Sequence, residues 1–291
     1  MDMLKEIRKV GQINLMFAIA QSGCHYHFLN WIPSESGPLV INYGFIKKEL
    51  VFSDFYNHDY LDVLDEIFSK NINQEPICSF SLDRNNVLFS SCFSDGDNKD
   101  LIDWHMDQSI DKDLSAKLDY YHYPMKSKLN CTLNIGVSKN IRQSFQVNMR
   151  LLKAKMSSLS VGIFSAEIGA RKWMKANNNP SYIIWKIGKK KIDEILFIKN
   201  NELTNYYSFQ RKGDNSKIIW NYGDEEVAES IMQEIINLNK NSKKFNFATQ
   251  VYVYTTEGSL NDVKSINSLG VENLSLLNPL CALEKDNNEK Y

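Results

Sequence analysis

Apolar and β-branched residues come in short runs near the start of the chain, at Asn14–Ala20, Tyr26–Trp31 and Leu39–Phe45. They are bounded by Gln21-Ser22-Gly23 and by Pro33-Ser34-Glu35-Ser36-Gly37-Pro38. Runs of this length between turn formers predict three consecutive strands in an antiparallel meander. The period then changes: Leu61, Val63, Leu64, Ile67 and Phe68 fall on one face of a helix over Tyr60–Ser69. Strand character returns at Ile77–Leu82 and Val87–Phe93, around the turn Asp83-Arg84-Asn85-Asn86. A helix over Leu101–Ile110 follows, then a hairpin of Tyr120–Lys126 and Leu129–Val137 through Ser127-Lys128. Ser138 is placed to cap a helix from Lys139 to about Lys155, and a strand at Leu159–Val161 and a helix at Phe164–Lys175 close this half.

Asn177-Asn178-Asn179-Pro180 is the clearest punctuation in the chain, since three Asn and a Pro oppose both helix and central strand. A domain boundary is expected there, giving a first half over 1–176, a second over 177–284 and a polar tail over 285–291. The second half opens with three strand-like runs, Tyr182–Ile187, Ile192–Ile198 and Leu203–Phe209. An amphipathic helix at Glu225–Leu238, a buried strand at Gln250–Tyr254, a helix at Leu260–Leu269 ended by Gly270, and a short strand at Leu274–Leu277 complete it. Both halves therefore read βββαβα, the first with insertions, which predicts two mixed sheets covered by helices with a cleft between them.

The length of 291 residues matches about two domains. With 34 Lys and Arg against 35 Asp and Glu, and 43% hydrophobic residues, the balance excludes wholesale disorder and a strongly basic nucleic-acid binder. No apolar run approaches the roughly 20 residues that cross a bilayer. The N-terminus mixes acids and bases without a signal-peptide pattern, so a cytoplasmic location is expected. Five widely spaced cysteines, Cys24, Cys78, Cys92, Cys131 and Cys281, read as reduced core residues.

Three further stretches carry a likeness: Asp100–Gln108 followed by the tyrosine strand to Tyr123-Pro124, Ser158–Ala166, and Leu276-Leu277-Asn278-Pro279. Taken with the duplicated order, they resemble the actin-like ATPase superfamily and, within it, the PilM family of type IV pilus assembly. The resemblance covers almost the whole chain. It implies an α/β, actin-like fold made of two RNase H-like βββαβα halves around an interdomain cleft.

The resemblance also implies where nucleotide chemistry would lie. In the superfamily, the first phosphate hairpin carries an Asp two residues before a Gly, to organise hydrated magnesium and admit phosphate. The matching run here puts Ala20 in place of the acid and Ser22 in place of the glycine, with Gly23 next. The second hairpin, usually Asp-Ile-Gly, reads Lys186-Ile187-Gly188, and the adenosine segment keeps one glycine, Gly258, after Tyr254-Thr255-Thr256-Glu257. An ammonium does not ligate magnesium, so these six positions predict a degenerate nucleotide cleft and a pseudo-ATPase, with neither catalytic residues nor a metal site. No cofactor is expected, and ATP with Mg only if the cleft retains binding. Lys186 is read as solvated, as filling the phosphate space or as paired with an acid across the cleft.

The implied function is a cytoplasmic scaffold of a type IV pilus or type II secretion-like platform, peripheral at the inner membrane. In the family a groove on the first domain accepts the cytoplasmic N-terminal tail of a single-pass membrane partner, an extended peptide. The alternative is an active actin-fold hydrolase or phosphotransferase using acids such as Asp193 or Glu194; a self-assembling filament is a third reading. Other candidates weigh less. Lys189-Lys190-Lys191 reads as a wet hairpin tip before a phosphate grip, Cys24-His25-Tyr26-His27 as a strand face before a zinc site, and Tyr120-Tyr121-His122-Tyr123 as a sheet face or partner surface. Hydrolase-elbow, P-loop and Rossmann motifs are missing from the sequence.

Overall fold

The computed structural model describes residues 16–22, 25–32, 39–47, 76–93, 99–125, 131–238, 243–256 and 260–277. Strands β1 (Met16–Ser22), β2 (His25–Ile32) and β3 (Leu39–Lys47) form the expected antiparallel meander. The expected helix at Tyr60–Ser69 and the polar tail lie outside the described residues. The chain returns as β4 (Ile77–Leu82), parallel to β1. The next turn does not fold the following strand back onto β4. Asp83 caps a single 3-10 turn at Arg84–Asn86, accepting from Asn85 N at 3.0 Å, and β5 (Val87–Phe93) departs for another sheet.

Helices α1 (Lys99–Ser109) and α2 (Lys112–Ser115) lead to β6 (Leu118–Met125) and β7 (Cys131–Ser138), the expected hairpin. With β5 they form a three-stranded sheet in the order β5-β7-β6. Pro124 has no backbone N–H to donate, which suits β6 to its edge position. Helix α3 (Lys139–Leu151) follows Ser138, whose side chain makes no capping bond, and ends earlier than its apolar spacing suggests. Lys153 turns left-handed there (φ 51°), and β8 (Lys155–Val161) joins β4 in parallel. Helix α4 (Gly162–Met174) is buried from Ile163 through Ala170 because it packs on β1, β4 and β8 on one side and on β9 (Ser181–Lys186) and β10 (Ile192–Lys199) on the other.

The Asn-rich segment forms a 3-10 turn at Ala176–Asn178, and the second sheet begins after it. β9 and β10 are joined to β11 (Glu202–Gln210) and to β12 (Lys217–Gly223), a fourth antiparallel strand that the sequence reading omits. Helix α5 (Glu225–Asn237) is capped by Asp224, which accepts from Glu226 N at 3.0 Å and Val227 N at 3.3 Å. β13 (Gln250–Tyr254), α6 (Leu260–Asn267) and β14 (Leu274–Leu276) complete the half.

The sheet orders are β3-β2-β1-β4-β8 and β12-β11-β10-β9-β13-β14. Apart from β12 they repeat one arrangement: an antiparallel meander extended beyond its first strand by two successive parallel strands. One apolar cluster runs without a break from Phe17, Phe80 and Ile135 to Tyr182, Leu196 and Tyr206, so the two sheets share a core through α4. A second cluster lies between the far face of the second sheet and helices α5 and α6. Cys78, Cys92 and Cys131 are free thiols, the first and last buried, and burial pushes the Cys78 thiol up.

Candidate functional site

Parallel strands of both sheets end toward one narrow gap. Ala20 near the end of β1 and Lys186 at the end of β9 line it together with Asp83, Arg84, Glu194 and Tyr254, and the space left is about 20 Å³. That admits one water molecule and falls far short of a nucleotide. Of the six expected cleft residues, Ala20 and Lys186 meet here, and Ser22 closes β1. Gly23 and Gly258 lie outside the described residues. Gly188 is turned to another use, its N–H donating to Asp193 Oδ1 at 3.2 Å.

Lys186 is 7% exposed and is therefore not the solvated hairpin lysine. Its Nζ lies 3.0 Å from Glu194 Oε1, and the Tyr206 hydroxyl donates to Glu194 Oε2 at 2.8 Å. The acid belongs to the neighbouring strand β10, opposite Lys186 in the ladder, and not to the far side of the cleft. Both oxygens of the Glu194 carboxylate are engaged, and a buried ammonium stands next to it. Asp83, the other carboxylate lining the gap, is buried and uses Oδ1 to cap its own turn. A gap that presents Ala20 and the Lys186 ammonium, with Glu194 charge-paired and Asp83 engaged in its cap, does not fit a hydrated magnesium ion. Burial, followed by the negative charge on Glu194, holds the Tyr206 phenol well above its usual range, so it acts as a donor at all ordinary pH values.

Asp193, on the opposite face of β10, is fully buried and accepts from Trp185 Nε1 at 2.8 Å and Arg211 Nε at 2.5 Å. Arg211 also reaches Asp262 at 3.0 Å. Burial raises the Asp193 pKa, and the Arg211 guanidinium opposes the shift. Asp193 is thus a structural hub beneath the hairpin and points away from the gap. Lys189, Lys190 and Lys191 are exposed on a 3-10 turn, the last two left-handed (φ 52° and 60°). His27 bonds Thr256 O at 3.1 Å through Nε2, and among the described residues no group of three or more His, Cys, Asp or Glu is placed to hold a metal.

A second concavity of about 820 Å³ was not read from the sequence as a set of residues. Tyr121, Tyr123 and Pro124 of β6 form one wall, Phe164 and Ile168 of α4 the floor, and Leu196, Ile198 and Leu203 of the β10–β11 hairpin the other wall. Glu167 and Arg171 give it one polar end, paired at 2.7 Å, with the Tyr182 hydroxyl donating to Glu167 at 2.5 Å. Two sheet edges border it, β6 of the three-stranded sheet and β8 of the first sheet. The tyrosine run Tyr120–Tyr123 is the signal that pointed to this surface; the residues facing it lie between Ser160 and Leu203, on several different elements.

No family model and no curated protein matches the chain. Among solved structures it is similar to a chain of the PilM–PilN type IV pilus biogenesis complex, with TM-score 0.60 and 9% identity over 93% of this chain and 90% of that one. It also matches the cytoplasmic domain of EpsL, an inner-membrane component of the type II secretion system of Vibrio cholerae, at TM-score 0.46 and 10% identity over 90% and 85% of the two chains. A protein of unknown function with an actin-like ATPase fold from Bacteroides thetaiotaomicron matches at TM-score 0.45 and 10% identity over 92% of each chain. The duplicated sheet order and the likeness to the pilus complex together give this chain the actin-like ATPase fold, in a PilM-like form.

Proposed function

We propose that this chain is a cytoplasmic scaffold of a type IV pilus or type II secretion-like assembly platform, peripheral at the inner membrane, that works by binding and not by ATP turnover. The observation that carries the proposal is the contrast between these two concavities. The gap where the actin-like resemblance would put a nucleotide is narrow and holds the Lys186–Glu194 ion pair, whereas the aromatic groove is wide and open along two strand edges. An extended tail of a membrane partner fits the groove: backbone N–H and C=O groups pair with an edge strand, and apolar side chains meet Tyr121, Phe164 and Leu203. The likeness to the PilM–PilN complex supports the same kind of partner.

The test is a pair of calorimetric titrations of the full chain, one with Mg·ATP and one with a synthetic peptide of the N-terminal cytoplasmic segment of a PilN-type partner. Peptide binding with no heat from Mg·ATP is expected. Tight Mg·ATP binding accompanied by phosphate release would replace this reading with the active enzyme, Glu194 and Asp83 being the carboxylates in the gap.

A further inference from the structure

Strand β12 extends the second sheet beyond the repeated order and is placed where it meets the first half. Its Trp220 and Tyr222 stand opposite Ser208 and Tyr206 in the ladder, with their rings 4.7 and 6.2 Å from that of Tyr206. From the other half, the turn after β4 and strand β5 are brought against this aromatic face. The Arg84 guanidinium lies 4.0 Å above the Trp220 ring and 5.2 Å from Phe89. Phe89 approaches Tyr206 edge-on at 5.1 Å, and the Tyr222 hydroxyl donates to the Phe89 carbonyl at 3.0 Å.

We infer that β12 is a built-in bolt: Trp220 and Tyr222 clamp Arg84 and Phe89 and hold the two halves in the closed arrangement with no ligand in the gap. The inference goes beyond the proposed function and rests on it only for the claim that nothing must enter the gap. In a two-lobed fold whose halves share a buried helix, the lobes can shift about that helix unless side chains bridge the mouth. Here a cation stacked on an indole, an edge-on aromatic pair and a hydrogen bond bridge it. A cation–π pair biases an equilibrium from about threefold when exposed to about thirtyfold when desolvated, and Arg84 and Trp220 are half-buried. Beneath the bolt, the Tyr206 hydroxyl reaches the Glu194 carboxylate and so ties the bolt to the Lys186 ion pair.

Hydrogen exchange of the full chain tests this, read at residues 84–93 and 217–223 with and without Mg·ATP. Both segments are expected to be protected equally in the two conditions. Trp220→Phe, which keeps the ring but weakens the cation–π contact, and Arg84→Met, which keeps the length, are each expected to raise exchange in the opposite segment by tenfold or more while α4 stays protected. Near-free exchange of either segment in the unmodified chain would overturn the bolt, as would variants that leave the opposite segment unchanged. Tenfold tighter protection on adding Mg·ATP would overturn it too. Mg·ATP turnover without any change in exchange would overturn the proposed pseudo-ATPase and support the bolt; an open mouth in a chain that releases no phosphate from Mg·ATP would do the reverse.

Discussion

Lys186 and Glu194 are direct cross-strand neighbours on β9 and β10, joined at 3.0 Å with side chains only 8% and 12% exposed. A pair this dry has lost the hydration of two charges, and its attraction approximately offsets that loss. Removing one partner leaves the other charge buried and uncompensated. Lys186→Met and Glu194→Leu are each expected to destabilise the fold by about 3 kcal/mol, and the two together by much less than their sum. Urea denaturation of the two single variants and the double checks this; additive losses would show that the pair is not coupled.

The bend that carries β12 into α5 depends on Gly223, which has φ +121°. A methyl group there would lie 2.5 Å from the Thr204 carbonyl oxygen and 2.8 Å from Asn205 Nδ2, both held in the sheet. Gly223→Ala is expected to cost about 3 kcal/mol. Gly213→Ala, at φ +59° with nothing within 4 Å, carries only the left-handed penalty and is expected to cost about 1 kcal/mol. Thermal unfolding of the two variants separates steric conflict from backbone preference.

The repeated strand order was legible because its signals are local: runs of β-branched residues, Asn-Asn-Asn-Pro, and the apolar faces at 139–151 and 225–237. β12 was missed although Ile218, Trp220 and Tyr222 alternate as a strand should, because a short run after the Gly213 turn has no partner visible in the sequence. The turn at Asp83–Asn86 suggested nothing about which sheet β5 would join, since that choice is made by long-range pairing with β7. At the candidate site, the substitutions at Ala20 and Lys186 were readable from resemblance, and burial decided between the readings of Lys186. The groove was readable only at Tyr120–Tyr123; Phe164, Leu196 and Leu203 reach it through the packing of α4 and the β10–β11 hairpin.

Asp193 gives the fold a pH dependence of definite sign. Burial raises its pKa in the folded chain above the ordinary value of 3.8, with Arg211 opposing the shift. Between the unfolded value and the raised folded one, the folded chain holds a proton that the unfolded chain has released, so this group's contribution to stability falls as pH rises. Asp193→Asn lacks that titration. Across the acidic range just above pH 4, the unmodified chain is expected to lose stability relative to Asp193→Asn with rising pH, as read from denaturation midpoints. A difference that stays flat or grows would mean that Arg211 outweighs burial.

The groove makes two demands on a bound tail that can be separated. Leu203 is half-buried in its wall, and a charge there would place an unpaired carboxylate against Phe164 and Tyr123. Leu203→Glu is expected to weaken binding of the partner tail peptide by tenfold or more, whereas Ile219→Glu, at an exposed site on β12, should leave it unchanged. If the tail also adds as a strand to β6 or β8, a peptide with N-methyl groups on alternate amides should lose affinity in one register and keep it in the other, because only every second residue faces the partner strand. Equal loss in both registers would point to side-chain recognition without strand addition. Binding that ignores both Leu203→Glu and methylation would place the tail elsewhere on the molecule.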